Sequence, residues 1–244
     1  MKAAIIAIGT EVTSGEINNT NSRWLAQKLE EKNIEVLMHI TVPDEKTLMF
    51  EAFSWAEKNC DMIFTTGGLG PTTDDFTREI IAEYYKTKLV FDRSEHQRLK
   101  ELFATRDRQI KEAHKQQCYF PENSKQLDNL KGTAKGFMIS GGNSTLYALP
   151  GPPKEVESVW DNGVLKDLPE VAETTRLYKW EFNGISESEI AEKVEALFSG
   201  TSVKLGYRAN KPRVIVKAWV PVEDVDSLGE KLGTMEGLFP GHKA

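Results

Sequence analysis

A glycine-rich stretch between two apolar segments carries the clearest chemistry in this sequence. It follows the apolar residues 62–64 and precedes an amphipathic segment that begins near Ile80, an order typical of strand, loop and helix. Glycine permits sharp turns and a close approach of the backbone to a ligand. A helix amino terminus offers free N–H groups to an anion. We therefore predict phosphate binding by the loop residues Thr66, Gly67, Gly68, Leu69 and Gly70.

Two adjacent carboxylates, Asp74 and Asp75, follow the glycines and predict a divalent metal at the same loop. Carboxylates beside a bound phosphate repel it unless a cation lies between them. Mg²⁺ is bound by one or two carboxylates together with substrate phosphates, so it is the expected ion, with Asp74 and Asp75 as its ligands. Such a metal would polarise phosphorus towards attack by water. The alternative, that one of the two carboxylates only caps the following helix, stays open.

The elements that must position this loop alternate between strand and helix. Residues 3–8 form an apolar run that ends at Gly9, as expected of a strand buried on both faces of a parallel sheet. Further strands are expected at 34–40 and 61–66, with amphipathic helices between the strands. This alternation predicts an α/β fold with an open, mostly parallel sheet covered by helices. Asp44 follows the second strand and could reach the edge where the other candidates lie, but a cap of the next helix is favoured.

Ligands of such sheets bind outside the carboxyl ends of the strands, where further polar residues lie. Glu11 is a candidate metal ligand, or the base that deprotonates the attacking water, and otherwise a solvated loop carboxylate. Asn19 and Asn21 are candidates for holding a ribose hydroxyl or a phosphate, or for capping the next helix. Thr72 and Thr77 are candidate phosphate donors, although Thr77 can instead bond within its own helical turn.

A second pair of apolar arms contributes the last candidates. Residues 137–139 and 145–149 flank a Gly-Gly-Asn-Ser turn and predict a hairpin that ends in a Pro-Gly-Pro-Pro turn. Lys154, which follows it, could offset phosphate charge or remain solvated. The predicted catalytic set is Glu11, Asp74 and Asp75, and the predicted binding set is Gly9, Thr10, Asn19, Asn21, Thr66, Gly67, Gly68, Leu69, Gly70, Thr72, Thr77, Gly151 and Lys154.

Composition limits the function classes. The 244 residues, 39% hydrophobic and 28% charged, are typical of a globular protein with room for more than one domain. The net formal charge of -6 does not indicate the basic surface that nucleic-acid binding usually needs. The two cysteines lack paired spacing, so neither a disulfide framework nor a zinc site is expected. The apolar run at the amino terminus is too short for a signal peptide or a membrane span, so we expect a cytoplasmic protein without membrane contact.

The pattern changes near residue 170, where a small α+β unit of order β-α-β-β-α is predicted. Its strands are expected at 176–182, 202–207 and 213–220, and its helices at 186–198 and from about 222. Ser186 with Glu189 predicts a capping box at the start of the first of these helices. The predicted domains are therefore 1–170 and 171–244.

An ordered run of motifs across residues 1–170 resembles the amino-terminal domain of the CinA (competence/damage-inducible) family, whose molybdopterin-binding-like fold is shared with molybdenum-cofactor biosynthesis proteins. The block from about residue 172 resembles the KH-like middle domain of the same family. The motifs are Gly9-Thr10-Glu11, Gly15, Asn19-Thr20-Asn21, the loop from Thr66 to Thr77, Gly132-Thr133-Ala134 with Gly136, and Leu149-Pro150-Gly151-Pro152-Pro153.

The resemblance implies divalent-metal-dependent hydrolysis of ADP-ribose to AMP and ribose 5-phosphate, with a small phosphorylated nucleotide as ligand and a homodimer as the assembly. The family's nicotinamide-nucleotide amidase activity belongs to a separate carboxyl-terminal domain, which we do not expect within these 244 residues. Two departures from the family pattern stand out. Residues 12–14 read Val-Thr-Ser where an apolar run is usual, and residues 183–186 read Asn-Gly-Ile-Ser where nucleic-acid-binding KH domains carry Gly-x-x-Gly.

Two other functions stay open at this point. The shared fold also suits a molybdopterin-binding or adenylyl-transfer protein, which would bind molybdopterin tightly without hydrolysis. A non-catalytic binding module acting through the KH-like block would show salt-sensitive RNA binding. The acidic balance and the missing Gly-x-x-Gly argue against this last function, so nucleic acid is not an expected partner.

Overall fold

The computed structural model describes residues 1–242, and the chain divides into two compact units between Val171 and Ala172. In the first unit the strands are β1 Lys2–Ile8, β2 Glu35–Val42, β3 Met62–Thr66, β4 Leu89–Phe91, β5 Tyr119–Pro121, β6 Lys125–Leu127, β7 Gly136–Gly141 and β8 Ser144–Leu149. Its α-helices are α1 Thr10–Thr13, α2 Thr20–Glu30, α3 Lys46–Asn59, α4 Thr77–Tyr84, α5 Arg93–Ala104, α6 Pro153–Val159 and α7 Leu165–Asp167. A 3-10 helix spans Glu112–Cys118, and a π-helical turn, Trp160–Val164, joins α6 to α7.

The central sheet has six strands in the order β2-β1-β3-β8-β7-β6. The first four are parallel, while β7 and β6 continue the sheet in antiparallel fashion. This confirms the predicted open, mostly parallel sheet and the predicted hairpin of β7 and β8. Because β8 pairs in parallel with β3, the carboxyl ends of β1, β3 and β8 lie side by side, and the loops that follow them are neighbours.

Both faces of this sheet are buried, as the continuous apolar runs predict. Successive residues of β1 point to opposite faces. Ile6 packs in a core with Phe53 of α3, whereas Ile5 packs in a second core with Leu25 of α2. Burying one such side chain stabilises the fold by roughly 1.5–3 kcal/mol. Two cores therefore fix the strands from which the loops emerge.

The second unit is the predicted small α+β block. Its elements are β9 Thr175–Asn183, α8 Glu187–Leu197, β10 Lys204–Asn210, β11 Arg213–Pro221 and α9 Gly229–Thr234, with 3-10 turns at Val222–Asp224 and Met235–Gly237. The three strands form an antiparallel sheet in the order β10-β11-β9. The hydroxyl of Ser186 accepts the N–H of Glu189 at 3.3 Å, which is one half of the predicted capping box. Within residues 1–242 no helix has both the length and the apolar character needed to cross a membrane.

Candidate functional site

A cavity of about 640 Å³ opens where the loops after β1, β3 and β8 meet. Its size falls in the range that holds a drug-sized or nucleotide-sized ligand. The predicted residues that line it are Gly9, Glu11, Asn19, Asn21, Thr66, Gly67, Gly68, Leu69, Gly70, Asp74, Asp75 and Gly151. Four predicted residues lie outside its lining, namely Thr10, Thr72, Thr77 and Lys154.

Side chains from outside the glycine-rich loop bind two of its carbonyl groups, while three of its N–H groups have no acceptor within the described residues. The carbonyl of Leu69 accepts from Arg78 Nη2 at 2.8 Å, and the carbonyl of Gly70 accepts from Gln116 Nε2 at 3.0 Å. The N–H groups of Gly68, Leu69 and Gly70, by contrast, have no acceptor among the described residues. A cluster of unpaired backbone N–H groups at a cavity is suited to an anion. The phosphate site stays a prediction, and within the protein the Gly67 N–H and the Thr66 hydroxyl already donate to Leu149 and Pro150.

Glycine is required in this loop for close approach to the protein's own atoms. Gly67 has φ +114°, and a Cβ built there would lie 2.0 Å from the carbonyl oxygen of Ile8. Gly68 has φ +66°, and its Cβ would lie 2.0 Å from the hydroxyl oxygen of Thr77. Both conformations are left-handed and favour glycine. The N–H of Gly67 also donates to the carbonyl of Leu149 at 3.1 Å, so the loop is fixed between β1 and β8.

Arg78, which the sequence reasoning missed, is buried beneath this loop. Burial lowers the pKa of its guanidinium to about 10, while nearby carboxylates, chiefly Glu79 and Asp75, oppose this shift. The side chain therefore stays charged at neutral pH and donates to Leu69. An arginine in the first turn of an amphipathic helix ordinarily indicates a solvated position, so the sequence carried no signal for this role.

The two neighbouring carboxylates differ in their surroundings. Asp75 Oδ2 accepts from the N–H of Thr72 at 3.0 Å and also from the Thr72 hydroxyl, so Asp75 holds the loop closed. Asp74 is exposed, and the Thr72 hydroxyl and then its own N–H keep the pKa of its carboxyl below the usual value. Neither carboxylate caps α4, which begins after Phe76 without a side-chain cap. The capping alternative is therefore wrong.

The oxygen donors at the cavity fit a metal that is shared with a phosphorylated ligand. Among residues 1–242 no three His, Cys, Asp or Glu side chains gather closely enough to hold a metal without a ligand. Asp74 and Glu11 both line the cavity with exposed side chains. The Glu11 carboxylate lies against Gly9, where a Cβ would come within 2.8 Å of Oε1. Mg²⁺ commonly binds one or two carboxylates together with water and substrate phosphates, which matches this donor set.

Asp44 does not cap α3, so the favoured prediction is wrong, whereas the alternative position at the sheet edge is found, since Asp44 lines the cavity. Its Oδ2 instead accepts from the N–H of Thr10 at 2.9 Å and from the Thr10 hydroxyl at 3.0 Å. The cap of α3 is Glu45, whose side chain accepts from the N–H of Thr47 at 3.1 Å. Thr10 supplies Asp44 with two donors, and these connect the loop after β2 to α1. The structure thus gives Thr10 a bracing role beside the cavity.

The two asparagines and Thr66 brace the loops that form the cavity. Asn19 caps α2 by accepting an N–H of its first turn at 3.0 Å, which is the capping alternative of the sequence prediction. Asn21 Nδ2 donates to Thr66 Oγ1 at 2.9 Å and to the carbonyl of Gly151 at 2.7 Å. Thr66 Oγ1 in turn donates to the carbonyl of Pro150 at 2.7 Å. The loops after β3 and β8 are therefore joined through side chains of α2 and β3.

The end of the cavity near α6 contains residues that the sequence did not single out. Glu155 is half-buried, and its Oε2 accepts from Asn129 Nδ2 at 2.6 Å. Burial raises the pKa of the Glu155 carboxyl, with the Asn129 hydrogen bond and Arg106 opposing the shift. Gln117 is buried and also lines the cavity, where its Nε2 donates to the carbonyl of Leu69 at 3.3 Å. Asn129 lies in a stretch without periodicity, and Glu155 occupies an ordinary helical position, so neither gave a signal in the sequence.

Comparison with known proteins agrees with this architecture. Residues 4–170 match the family model described as a probable molybdopterin binding domain. A competence-damage inducible protein of Clostridium botulinum (strain Loch Maree, type A3) is 31% identical over 238 residues, 91% of this chain and 58% of that protein. Its counterpart in Alkaliphilus metalliredigens (strain QYMF) is 38% identical over 201 residues, 82% of this chain and 49% of that protein. The chain thus spans roughly half the length of these relatives.

A solved structure extends the likeness to three dimensions. The crystal structure of CinA from Thermoplasma acidophilum, a protein described as of unknown function, is 28% identical with a TM-score of 0.63. The match covers 68% of this chain and 96% of that one. The chain is therefore a member of the competence-damage inducible (CinA) family, in which residues 4–170 form a domain of the molybdopterin-binding type.

Proposed function

We propose that the chain hydrolyses the diphosphate bond of ADP-ribose, or of a similar nucleoside-diphosphate sugar, to AMP and ribose 5-phosphate with a divalent metal. The observation that carries the proposal is the set of N–H groups at Gly68, Leu69 and Gly70 that find no acceptor within residues 1–242. They lie in one cavity with the carboxylates of Glu11 and Asp74. The N–H groups favour phosphate oxygens. The carboxylates would repel the same phosphates, and a bound cation removes that conflict.

Each of these groups then has its own role in hydrolysis. The N–H groups of Gly68, Leu69 and Gly70 hold the diphosphate and fix the phosphorus that is attacked. A metal bound by Asp74 and Glu11 would neutralise phosphate charge and polarise that phosphorus. A water oxygen forms a new bond to phosphorus while the bridging oxygen leaves on the other phosphate. Glu11, when it is not a ligand, accepts the proton that the water loses.

The test is AMP release from ADP-ribose with Mg²⁺, with and without EDTA, followed by chromatography. We expect release that depends on the metal and that Asp74→Asn and Glu11→Gln abolish without a change in thermal unfolding. Lys154→Ala is the matched control, because Lys154 is exposed beside the same turn and lies outside the cavity lining. Full activity in Asp74→Asn would remove the metal assignment. If no AMP is released with Mg²⁺, Mn²⁺ or Co²⁺, the proposed hydrolase function is excluded.

A second candidate, molybdopterin binding or adenylyl transfer, is favoured by the family model that matches residues 4–170. It uses the same N–H groups for the phosphate of the pterin. Equilibrium titration with molybdopterin separates the two functions. Tight binding with no AMP release from ADP-ribose would select the second candidate.

Light scattering after size-exclusion chromatography tests the homodimer that we propose as the assembly, for which twice the chain mass of 27.5 kDa is expected.

A further inference from the structure

One end of the cavity holds a buried hydrogen-bond acceptor without a donor. Gln117 is only 1% exposed, and its Nε2 donates to the carbonyl of Leu69 at 3.3 Å. That bond fixes the orientation of the amide. Its Oε1 is buried and has no hydrogen-bond partner among the described residues. Such an orphaned acceptor destabilises a fold unless something donates to it. Because Gln117 lines the cavity, a bound ligand is a suitable donor.

A second acceptor, the carboxylate of Glu155, lines the same cavity. The buried Asn129 donates from its Nδ2 to the Glu155 Oε2 at 2.6 Å. The same Nδ2 donates to the carbonyl of Ala134 at 2.8 Å. The backbone of Gly132 lies flat against the carboxylate, since a Cβ there would meet the Glu155 Cδ at 2.0 Å. The Glu155 Oε1 atom receives no hydrogen bond, and its carboxylate forms no ion pair within 4.0 Å, in the described part of the chain.

The two ends of the cavity offer different groups to a ligand. The sheet order places the loop after β1 on one side of the glycine-rich loop and the turn after β8 on the other. The first side mixes apolar Val12 and Ile17, the latter 50% exposed, with the carboxylates of Glu11 and Asp44. The second side holds Glu155 of α6, and Gln117 lies against the central loop at the Leu69 carbonyl. A diphosphate on the central loop therefore has one neighbour with apolar surface and one neighbour with acceptors that lack donors within the described residues.

We propose that Gln117 and Glu155 accept hydroxyl hydrogen bonds from the sugar on the distal phosphate, so that the site selects diphosphates bearing a sugar with a free vicinal diol. A diol presents two O–H donors to the two acceptors. An acidic side chain that accepts from a ribose hydroxyl is a known solution in dinucleotide sites. The nucleoside base then covers Val12 and Ile17. This inference rests on the proposed function only for the position of the diphosphate.

The test compares two ligands that cannot be hydrolysed, α,β-methylene ADP-ribose and α,β-methylene ADP, by calorimetric titration with Mg²⁺. Loss of a hydrogen bond to a charged group weakens binding by about tenfold or more. We expect Glu155→Gln to lower the affinity for the sugar-bearing ligand by that factor. The affinity for the ADP analogue should fall by less than about twofold. Gln117→Leu, which removes the orphaned acceptor and keeps the volume, should do the same. Glu157→Gln, an exposed change on the same helix, should alter neither affinity.

Each other outcome overturns the inference in a distinguishable way. Equal weakening of both ligands by Glu155→Gln and Gln117→Leu, with earlier thermal unfolding, would assign these residues to loop structure alone. Unchanged affinity of both variants for the sugar-bearing ligand would exclude the proposed contact with the sugar. Equal affinity of the wild type for both ligands, with AMP still released from ADP-ribose, would remove the subsite and leave the hydrolase. Failure of the wild type to bind either ligand would remove both.

Discussion

Replacing Gly67 with alanine tests whether the phosphate loop depends on its close approach to β1. The residue has φ +114°, where a side chain costs about 1–3 kcal/mol. Its Cβ would lie 2.0 Å from the Ile8 carbonyl oxygen, which belongs to a strand buried on both faces. Displacing packed backbone adds about 1–3 kcal/mol. We therefore expect Gly67→Ala to lower the free energy of unfolding by about 2–6 kcal/mol.

Gly15 provides the matched control. It also has a left-handed backbone, with φ +78°, but its Cβ would meet nothing within 4 Å. Gly15→Ala should therefore cost only the conformational part, about 1–2 kcal/mol. The difference between the two variants isolates the contact with Ile8.

Hydrogen exchange in increasing urea, followed at the amides of β1 and β3, measures the unfolding of this unit apart from the other. We expect Gly67→Ala to lose protection in β1 first and to bind inorganic diphosphate more weakly than Gly15→Ala does. A Gly67→Ala variant within about 0.5 kcal/mol of Gly15→Ala would refute the reasoning, since that is the usual range of a substitution without a special mechanism.

Three further predictions concern the residues that hold this site and its surroundings. Asp75→Ala removes the acceptor of two hydrogen bonds from Thr72, each worth about 1 kcal/mol, so it should lower the unfolding temperature. Asp74→Asn should leave the unfolding temperature unchanged. Arg78→Met should change stability by less than about 2 kcal/mol, because a buried charge is costly. It should still weaken diphosphate binding, because the Leu69 carbonyl then keeps only the longer bond from Gln117 at 3.3 Å. Burial opposes ionisation of Asp92, but hydrogen bonds from the start of α5 and from Gln126 of β6 outweigh it and lower the pKa of Asp92 to about 2. The stability this carboxylate supplies is present above its ordinary pKa of about 3.9 and is lost as the pH falls towards 2.

The controls for these predictions are simple. Lys154→Ala controls the two aspartate variants of the loop, and an Asp75→Ala variant as stable as the wild type would refute the bracing role. Arg78→Lys keeps the charge but not the fork of donors, so diphosphate binding equal to the wild type in both Arg78 variants would exclude support of the loop. For Asp92→Ala, unfolding temperatures are compared from pH 6 to pH 2 with those of Asp161→Ala, an exposed carboxylate. Parallel curves would contradict the assignment to Asp92.

The sheet and its loops could be predicted because their signals are local. The apolar run of β1 and the glycines after β3 determine a strand and a turn within a few residues of sequence. The reason for Gly67 was only partly foreseen, since its close neighbour is the Ile8 carbonyl. A contact between separate strands leaves no periodic trace in the sequence.

The distal end of the site could not be predicted for the same reason. Glu155 gains its surroundings from Asn129 and Gly132, which precede it by more than twenty positions and lie in a segment without periodicity. Asp44 was assigned as a helix cap because aspartate ordinarily favours that position. Thr10, 34 positions earlier, offers it two donors instead.

The pairing of β3 with β8 has a consequence for how the protein is made. Thr66 and the Pro150 carbonyl that it binds are 84 positions apart, so the parallel part of the sheet closes only after most of the first unit has left the ribosome. Until then β3, whose five residues are all buried in the finished fold, exposes an unpaired apolar edge. The growing chain is most prone to aggregation in this interval, and slowing translation before β8 should increase its dependence on chaperones.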